Sequence, residues 1–182
     1  VLLITVYLVI SGVPAIAKIG LFQFLFGTKW ASTASEPSFG ILPFIMTSIY
    51  GTGGAILLGV PVGFFTSVYL AKIASPKVRG VIETAVSLLA GIPSVVYGFF
   101  GLMIIVPWVR DTFRPYYGGN GLSLFSAALL LGIMILPTII GVSESAIRAV
   151  PDSYYEGSLG LGASHERSVF FAVLPAAKSG IL

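Results

Sequence analysis

The chain has 182 residues, 56% hydrophobic and only 9% charged, with a net charge of +3 and a mean hydropathy of +1.00. A soluble domain carries about 25% charged residues, so a surface this apolar must face lipid rather than water. The scattered basic residues exclude a nucleic-acid patch, the lack of cysteine excludes disulfides and thiolate metal sites, and a single histidine, His165, excludes a multi-histidine metal centre.

Crossing a bilayer takes roughly 20 apolar residues in a helix, and four stretches meet or approach that. The first covers about 1–17, "VLLITVYLVISGVPAIA". A connection over 18–40 with Lys18 and Lys29 leads to the second, about 41–71. This second stretch exceeds one crossing, so it starts outside the lipid or tilts, with Pro43 near its start and Pro61 bending it. Along it Gly51, Ala55, Gly59 and Gly63 recur every four residues. On a helix they form one small-residue ridge that lets a neighbouring backbone approach closely. The "GTGG" within it is no phosphate loop, because no Gly-Lys-Ser/Thr follows.

The basic connection "KIASPKVRG", with Lys72, Lys77 and Arg79, precedes the third span, about 81–109. Glu83 lies one turn inside it, four residues after Arg79, which predicts an ion pair at the helix end. In "AGIPSVVYGFFGL", Pro93 removes a backbone hydrogen bond at mid-span. Irregular backbone at that depth is tolerated only where it is buried in protein or lines a cavity. Pro93, Ser94 and Tyr97 therefore mark a hinge, a substrate path, or a kink that serves packing. The "RDTFRPYYGGNG" stretch reads as a turn-rich connection with Arg110, Asp111 and Arg114 in solvent. The fourth span covers about 122–147, with Pro137 as a second kink. Glu144 near its end precedes Arg148 by four residues, the favourable order for a helical ion pair. An ionisable residue inside a span is also a functional candidate, so Ser143, Glu144 and Ser145 alternatively line a polar path.

Orientation follows from lysine and arginine, which favour the cytoplasmic side. Lys72, Lys77, Arg79, Arg148, Arg167 and Lys178 fall on one side, and Lys18, Lys29, Arg110 and Arg114 on the other. Residues 72–80 and 148–178 are thereby assigned to the cytoplasm.

The polar segment over 150–175 stands out in so apolar a chain. Ser153 and Glu156 have the spacing of a capping box and predict a short helix over about 154–159, which "GLGA" then breaks. Ser164 caps a second helix with Glu166 in its first turn. Val169, Phe170, Val173 and Leu174 form that helix's apolar stripe, and Pro175 sets the first turn of a further span over 176–182. The helix–turn–helix either docks into a cleft of a soluble partner or rests on lipid. The chain begins inside an apolar run and ends seven residues after Pro175, which reads as a C-terminally truncated piece of one incomplete transmembrane domain over 1–182. No catalytic set can be assembled: the one histidine lies in the polar segment, and Glu83 and Glu144 stand without a second carboxylate or a metal partner. No catalytic residue, metal or cofactor is expected.

The polar segment resembles the "EAA" loop of ATP-binding-cassette importer permeases, in which Glu-Ala-Ala, three residues, Gly, nine residues and Ile-x-Leu-Pro follow one another. Glu156-Gly157-Ser158 opens it, Gly162 takes the glycine place and Ala172-Val173-Leu174-Pro175 closes it, with Ala172 in place of the usual Ile. "FLFGTKW", "FGILPFI", "GIPSVVYGFFGL" and "ILPTIIGVSESAIRAVPDSYYEGSLGLGAS" are similar to the phosphate-specific importer, and to its PstC-type permease rather than its PstA-type partner. The resemblance covers almost the whole chain. It implies an all-α bundle of transmembrane helices of the type I importer permease kind, carrying a cytoplasmic coupling helix–turn–helix. It implies as partners a PstA-type second permease subunit, two cytoplasmic ATPase subunits and an extracytoplasmic phosphate-binding protein.

In that family the loop fits a groove on the ATPase, and ATP-driven closure rocks the spans between inward-open and outward-open states. Carried onto this chain, Glu156, Gly157, Ser158, Leu161, Gly162, Ala163, Ser164, His165 and Glu166 form the ATPase-contacting region, with Gly162 at the bend, while the chain itself hydrolyses nothing. The family continues past its Leu-Pro with at least one more span and an Arg-Ala-x-Gly-Glu stretch of candidate phosphate-path charges, and this chain ends before them. An importer of sulfate, phosphonate or an organic solute stays open as an alternative, as does a secondary transporter or intramembrane enzyme without an ATPase.

Overall fold

The computed structural model describes residues 2–181. Val1 and Leu182, at the outer ends of the expected first and further spans, lie outside the described residues. The chain divides into two compact units, 1–50 and 51–182.

The first unit opens with α1 (Leu2–Ile19), then α2 (Leu21–Phe26) after Gly20, whose φ of +90° suits glycine. A short antiparallel pair follows, β1 (Trp30–Ala31) and β2 (Ser38–Phe39), with Trp30 opposite Phe39. Trp30 meets Phe39 and Phe44 edge-on at centroid distances of 5.6 and 5.7 Å. Gly27 and Gly40 bring two stretches of backbone together. A Cβ on Gly40 would lie 2.2 Å from the Gly27 carbonyl oxygen, so neither position accepts a side chain without a shift. Almost every apolar side chain of α1 is exposed, Leu2 by 79% and Leu3 by 85%. Such a surface needs lipid or another chain over it.

Helix α3 (Leu42–Lys72) is the longest element. In the second unit its Gly51, Ala55, Gly59 and Gly63 are all buried, and they lie against α7 (Leu124–Arg148). A Cβ on Gly59 would come within 2.9 Å of the Gly132 carbonyl oxygen, and one on Gly132 within 3.4 Å of the Ala55 carbonyl oxygen. Close approach of two backbones through small residues is what such a ridge permits. Gly51 meets Leu124 and Gly63 meets Ile139, so residue numbers rise together and the two helices run parallel. Their C-terminal ends therefore lie at the same end of the unit, where Lys72 Nζ is 3.7 Å from the Asp152 carboxylate.

Between them the chain returns through α4 (Pro76–Gly91), α5 (Ser94–Phe100), a π-helical turn over Gly101–Ile105 and α6 (Val106–Tyr117). The expected third span over 81–109 is thus two helical segments broken at Ile92–Pro93. Pro93 cannot donate to the Leu89 carbonyl, and it disfavours helical backbone at Ile92. The uninterrupted helix long and apolar enough to cross a membrane covers Ser94–Tyr116, beside Leu2–Ile19, Leu42–Lys72 and Leu124–Arg148. The expected loop from Arg110 is helical as far as Tyr117. The turn proper is Gly118–Gly121, with positive φ at Gly118, Gly119 and Gly121 and the Leu122 amide donating to Asn120 Oδ1. Helix α7 opens on a Ser123 cap whose hydroxyl accepts from the Ser126 amide, and it runs through Pro137 without losing helical backbone.

The polar segment folds as α8 (Asp152–Gly160) and α9 (His165–Ser168), and a π-helical turn over Val169–Val173 leads directly into α10 (Leu174–Ile181). Pro175 thus lies inside a continuing helix. Both π turns end two residues before a proline, Pro107 and Pro175. A widened turn relieves the clash between a proline ring and the carbonyl four residues earlier.

Candidate functional site

Three groups of polar or strained residues lie in the second unit, at or leading to the end where α3 and α7 terminate. The first is the α8–α9 hairpin. Helix α8 starts at Asp152 with Pro151 at its cap position and no capping side chain, so the capping box expected from Ser153 and Glu156 does not form. Its C-terminus is closed by backbone alone: the Gly162 amide donates to Leu159 O at 2.9 Å and the Ala163 amide to Ser158 O at 3.2 Å. This 5→2 and 6→1 pair is a Schellman closure, which requires a left-handed residue at the first position past the helix. Gly162 holds φ +85° and satisfies that requirement.

Two residues after Gly162, the Ser164 hydroxyl accepts from the Arg167 amide at 3.3 Å, which caps α9 as expected. Glu166 sits in that first turn. A hydrogen bond from its own backbone amide and a second from Ser164 hold its carboxylate below the ordinary range. The hairpin is stitched internally by Tyr155 Oη and His165 Nδ1, 2.6 Å apart, with the phenol donating when the imidazole proton sits on Nε2. Lys72 Nζ lies 5.8 Å from the Tyr155 ring centroid, within cation–π range.

Behind the turn, Val169 and Val173 enter one buried cluster with Val68 of α3 and Ile147 and Val150 around the end of α7. Phe170 and Phe171, by contrast, are exposed. The buried face is thus set by Val169 and Val173, and Phe170 departs from the expected stripe. Ser168 Oγ is buried without a hydrogen-bond partner, a cost of about 1–3 kcal/mol. The tip faces outward, with Leu161 91% exposed and Glu156, Gly157, Gly162 and Glu166 exposed around it. Ser158, Ala163 and His165 are half-buried.

The second group surrounds the Ile92–Pro93 break. Leu89 O, which loses its helical donor to Pro93, accepts instead from the Ile92 amide at 3.2 Å and from the Tyr97 hydroxyl at 2.8 Å. Tyr97 is therefore buried with its polar end satisfied. Beside it a recess of about 250 Å³ is lined by Leu89, Ala90, Ile92, Ser94, Tyr97, Met134, Pro137 and Thr138. The proline of α7 thus faces the proline break of the preceding segment, a juxtaposition their sequence separation did not reveal.

The third group is an ion cluster. Arg148 Nη2 donates to Glu144 Oε1 at 2.5 Å and to Glu83 Oε1 at 3.0 Å. The Glu144–Arg148 pair follows the expected spacing, but Glu83 does not pair with Arg79. Arg79 Nε instead donates to Leu70 O at 2.9 Å, at the C-terminal end of α3. Ser143 is buried beside Glu144, whereas Ser145 faces outward. Neither serine lines the recess. Glu144 lies six residues beyond Thr138, about 9 Å along the helix. Sequence reasoning missed Lys72, Asp152 and Tyr155 at the hairpin. Their sequence signal was a basic residue closing α3 and an acid opening α8, 80 positions later.

Residues 59–182 match the family described as binding-protein-dependent transport system inner membrane component. The chain is 36% identical over 176 residues to the probable ABC transporter permease protein YqgH of Bacillus subtilis (strain 168), covering 96% of this chain and 56% of that one. It is 30% identical to the phosphate transport system permease protein PstC of Pasteurella multocida (strain Pm70), covering 88% and 55%. To the protein of the same name from Haemophilus influenzae (strain ATCC 51907 / DSM 11121 / KW20 / Rd) it is 30% identical, covering 98% and 61%. The chain thus spans little more than half the length of these relatives. No solved structure matches it.

Proposed function

The chain belongs to the family of binding-protein-dependent transport system inner membrane components, and from that premise we propose that it is part of the permease subunit of an ATP-driven importer of inorganic phosphate. It is a multi-pass membrane protein: among the described residues four helices have the length and apolarity to cross. In this reading residues 72–80 and 148–178 face the cytoplasm and the 1–182 region is one incomplete permease domain. A PstA-type second permease completes the path, two cytoplasmic ATPase subunits hydrolyse ATP, and an extracytoplasmic binding protein delivers the solute.

The observation that carries the importer reading is the α8–α9 hairpin. Its Schellman turn at Gly162 presents Leu161 outward, while its inner face is fixed by Val169 and Val173 to the ends of α3 and α7. The exposed turn, with Leu161 at its tip and Glu156 and Glu166 beside it, is the surface proposed to meet the soluble partner. Its rigid seat gives a partner's movement a route into the spans. Glu156, Gly157, Ser158 and the stretch 161–166 are the proposed ATPase contacts. Pro93, Ser94, Tyr97, Ser143 and Glu144 are the proposed path residues, the first three beside the recess and the last two nearer the cytoplasmic end.

Phosphate as cargo is supported by the names of the Pasteurella and Haemophilus relatives. A permease for another solute is the second reading, favoured by the Bacillus relative, whose name gives no cargo. Uptake of radiolabelled phosphate by cells dependent on the full-length protein, competed with sulfate, phosphonate and unlabelled phosphate, separates them. Phosphate alone should compete. Equal competition by sulfate or phosphonate contradicts the phosphate reading and leaves the permease reading standing.

A further inference from the structure

Arg148 occupies an unusual place. It lies in the last turn of α7, four residues before α8 begins, and one guanidinium nitrogen serves two carboxylates on different helices. The two carboxylates differ in setting. The Glu144 side chain is 12% exposed and shares a helix with Arg148, whereas that of Glu83 is 44% exposed and belongs to α4. Arg79, the basic residue on α4 best spaced to take Glu83, is committed to the Leu70 carbonyl. The residues flanking Arg148 are anchored in the hairpin's own core: Ile147 and Val150 pack with Val169 and Val173. Helix α4 leads from Glu83 to the Ile92–Pro93 break.

We propose that Arg148 is the positioning residue that carries movement of the hairpin to α4, through a Glu83–Arg148 contact that opens and closes during the transport cycle while Glu144 holds Arg148 throughout. The asymmetry supplies the physical reason. Breaking a buried ion pair by removing one partner is costly because a charge is left uncompensated. Here Glu144 keeps the guanidinium compensated when Glu83 leaves, and Glu83 is exposed enough for water to replace its partner. The contact can therefore separate at low cost, and α4 with its proline break is released or held according to where the end of α7 sits. A two-state element biased from one end is the requirement for such coupling. This inference rests on the permease reading above.

The test uses the full-length protein assembled with its partner subunits in proteoliposomes. Thr84 and Ala149, exposed neighbours of the two contact residues, are replaced by cysteine in a chain that has none in this region. A short bifunctional thiol reagent is then applied with and without trapped ATP. Cross-linking should differ between the two states by about fivefold, the low end of ordinary coupling strengths. In parallel, Glu83→Ala should lower solute delivered per ATP hydrolysed by about fivefold while ATP hydrolysis persists, with Glu83→Asp restoring most of the ratio. A merely structural pair would lower assembly and both activities together. Equal cross-linking in both states, or a wild-type transport ratio in Glu83→Ala, overturns the proposal. A wild-type complex whose uptake needs no ATP overturns the permease reading and the proposal with it.

Discussion

Gly162 shows how one residue fixes the hairpin. Its φ of +85° is set by the two amide-to-carbonyl bonds that close α8, and no neighbouring atom lies where a Cβ would stand. The demand for glycine is therefore conformational rather than steric, and an L-residue there costs about 1–2 kcal/mol of backbone strain. Glu166, four residues on, gives a pH-dependent counterpart. Its carboxylate is held below the ordinary range first by its own amide and then by Ser164. A depressed pKa contributes stability that is present above the unfolded value of about 4.3 and is lost as pH falls through the lower folded value. Carboxyl-carbon NMR of the protein in detergent should place the Glu166 midpoint below that of a free glutamate, and Ser164→Ala should move it upward. A midpoint at the ordinary value in both proteins would remove the cap from the account.

At the scale of elements, two contacts within the second unit can be tested separately. The first is the α3–α7 seam. Gly59→Ala drives a Cβ to 2.9 Å from the Gly132 carbonyl, whereas a Cβ on Gly53 meets nothing within 4 Å. Overpacking of this kind costs about 1–3 kcal/mol, so Gly59→Ala should lower the thermal midpoint by several degrees and Gly53→Ala should leave it nearly unchanged. Equal effects from the two would contradict the seam. The second contact bridges the α4–α5 break, where Tyr97 donates to the carbonyl orphaned by Pro93. Removing that hydroxyl in Tyr97→Phe should cost about 1 kcal/mol, read as a lower unfolding midpoint in detergent, and an unchanged midpoint would show that the bond is dispensable.

The same elements show what could be read from residues in order. The four-residue recurrence of Gly51, Ala55, Gly59 and Gly63 announced a close-packing ridge because helical periodicity is local, but it could not name α7 as the partner. Pro93 announced a disturbance, but its size, a full separation of two helices, depended on Tyr97 reaching back eight residues to Leu89. Arg79 and Glu83 had the right spacing for an ion pair, and tertiary packing overrode it. The Leu70 carbonyl took the arginine, and Arg148, 65 residues away, took the glutamate.

For the whole molecule, composition pointed to a lipid-facing chain, since 9% charged residues cannot cover a watery surface, and the length of the apolar runs pointed to helices. The hairpin's position was less legible. Its polar sequence and Gly162 were visible, but its anchoring to the joined ends of α3 and α7 follows from their parallel course, which no local pattern encodes. That anchoring underlies the central claim, that the exposed turn transmits ATP-driven movement of a cytoplasmic partner into the spans. The measurement that bears on it most directly is ATP-dependent phosphate uptake by proteoliposomes holding the full-length protein and its partners, wild type against Gly162→Trp. Uptake should require ATP in the wild type and fall at least about tenfold in the variant, with the chain still inserted in the membrane. Undiminished ATP-driven uptake by Gly162→Trp would contradict the central claim.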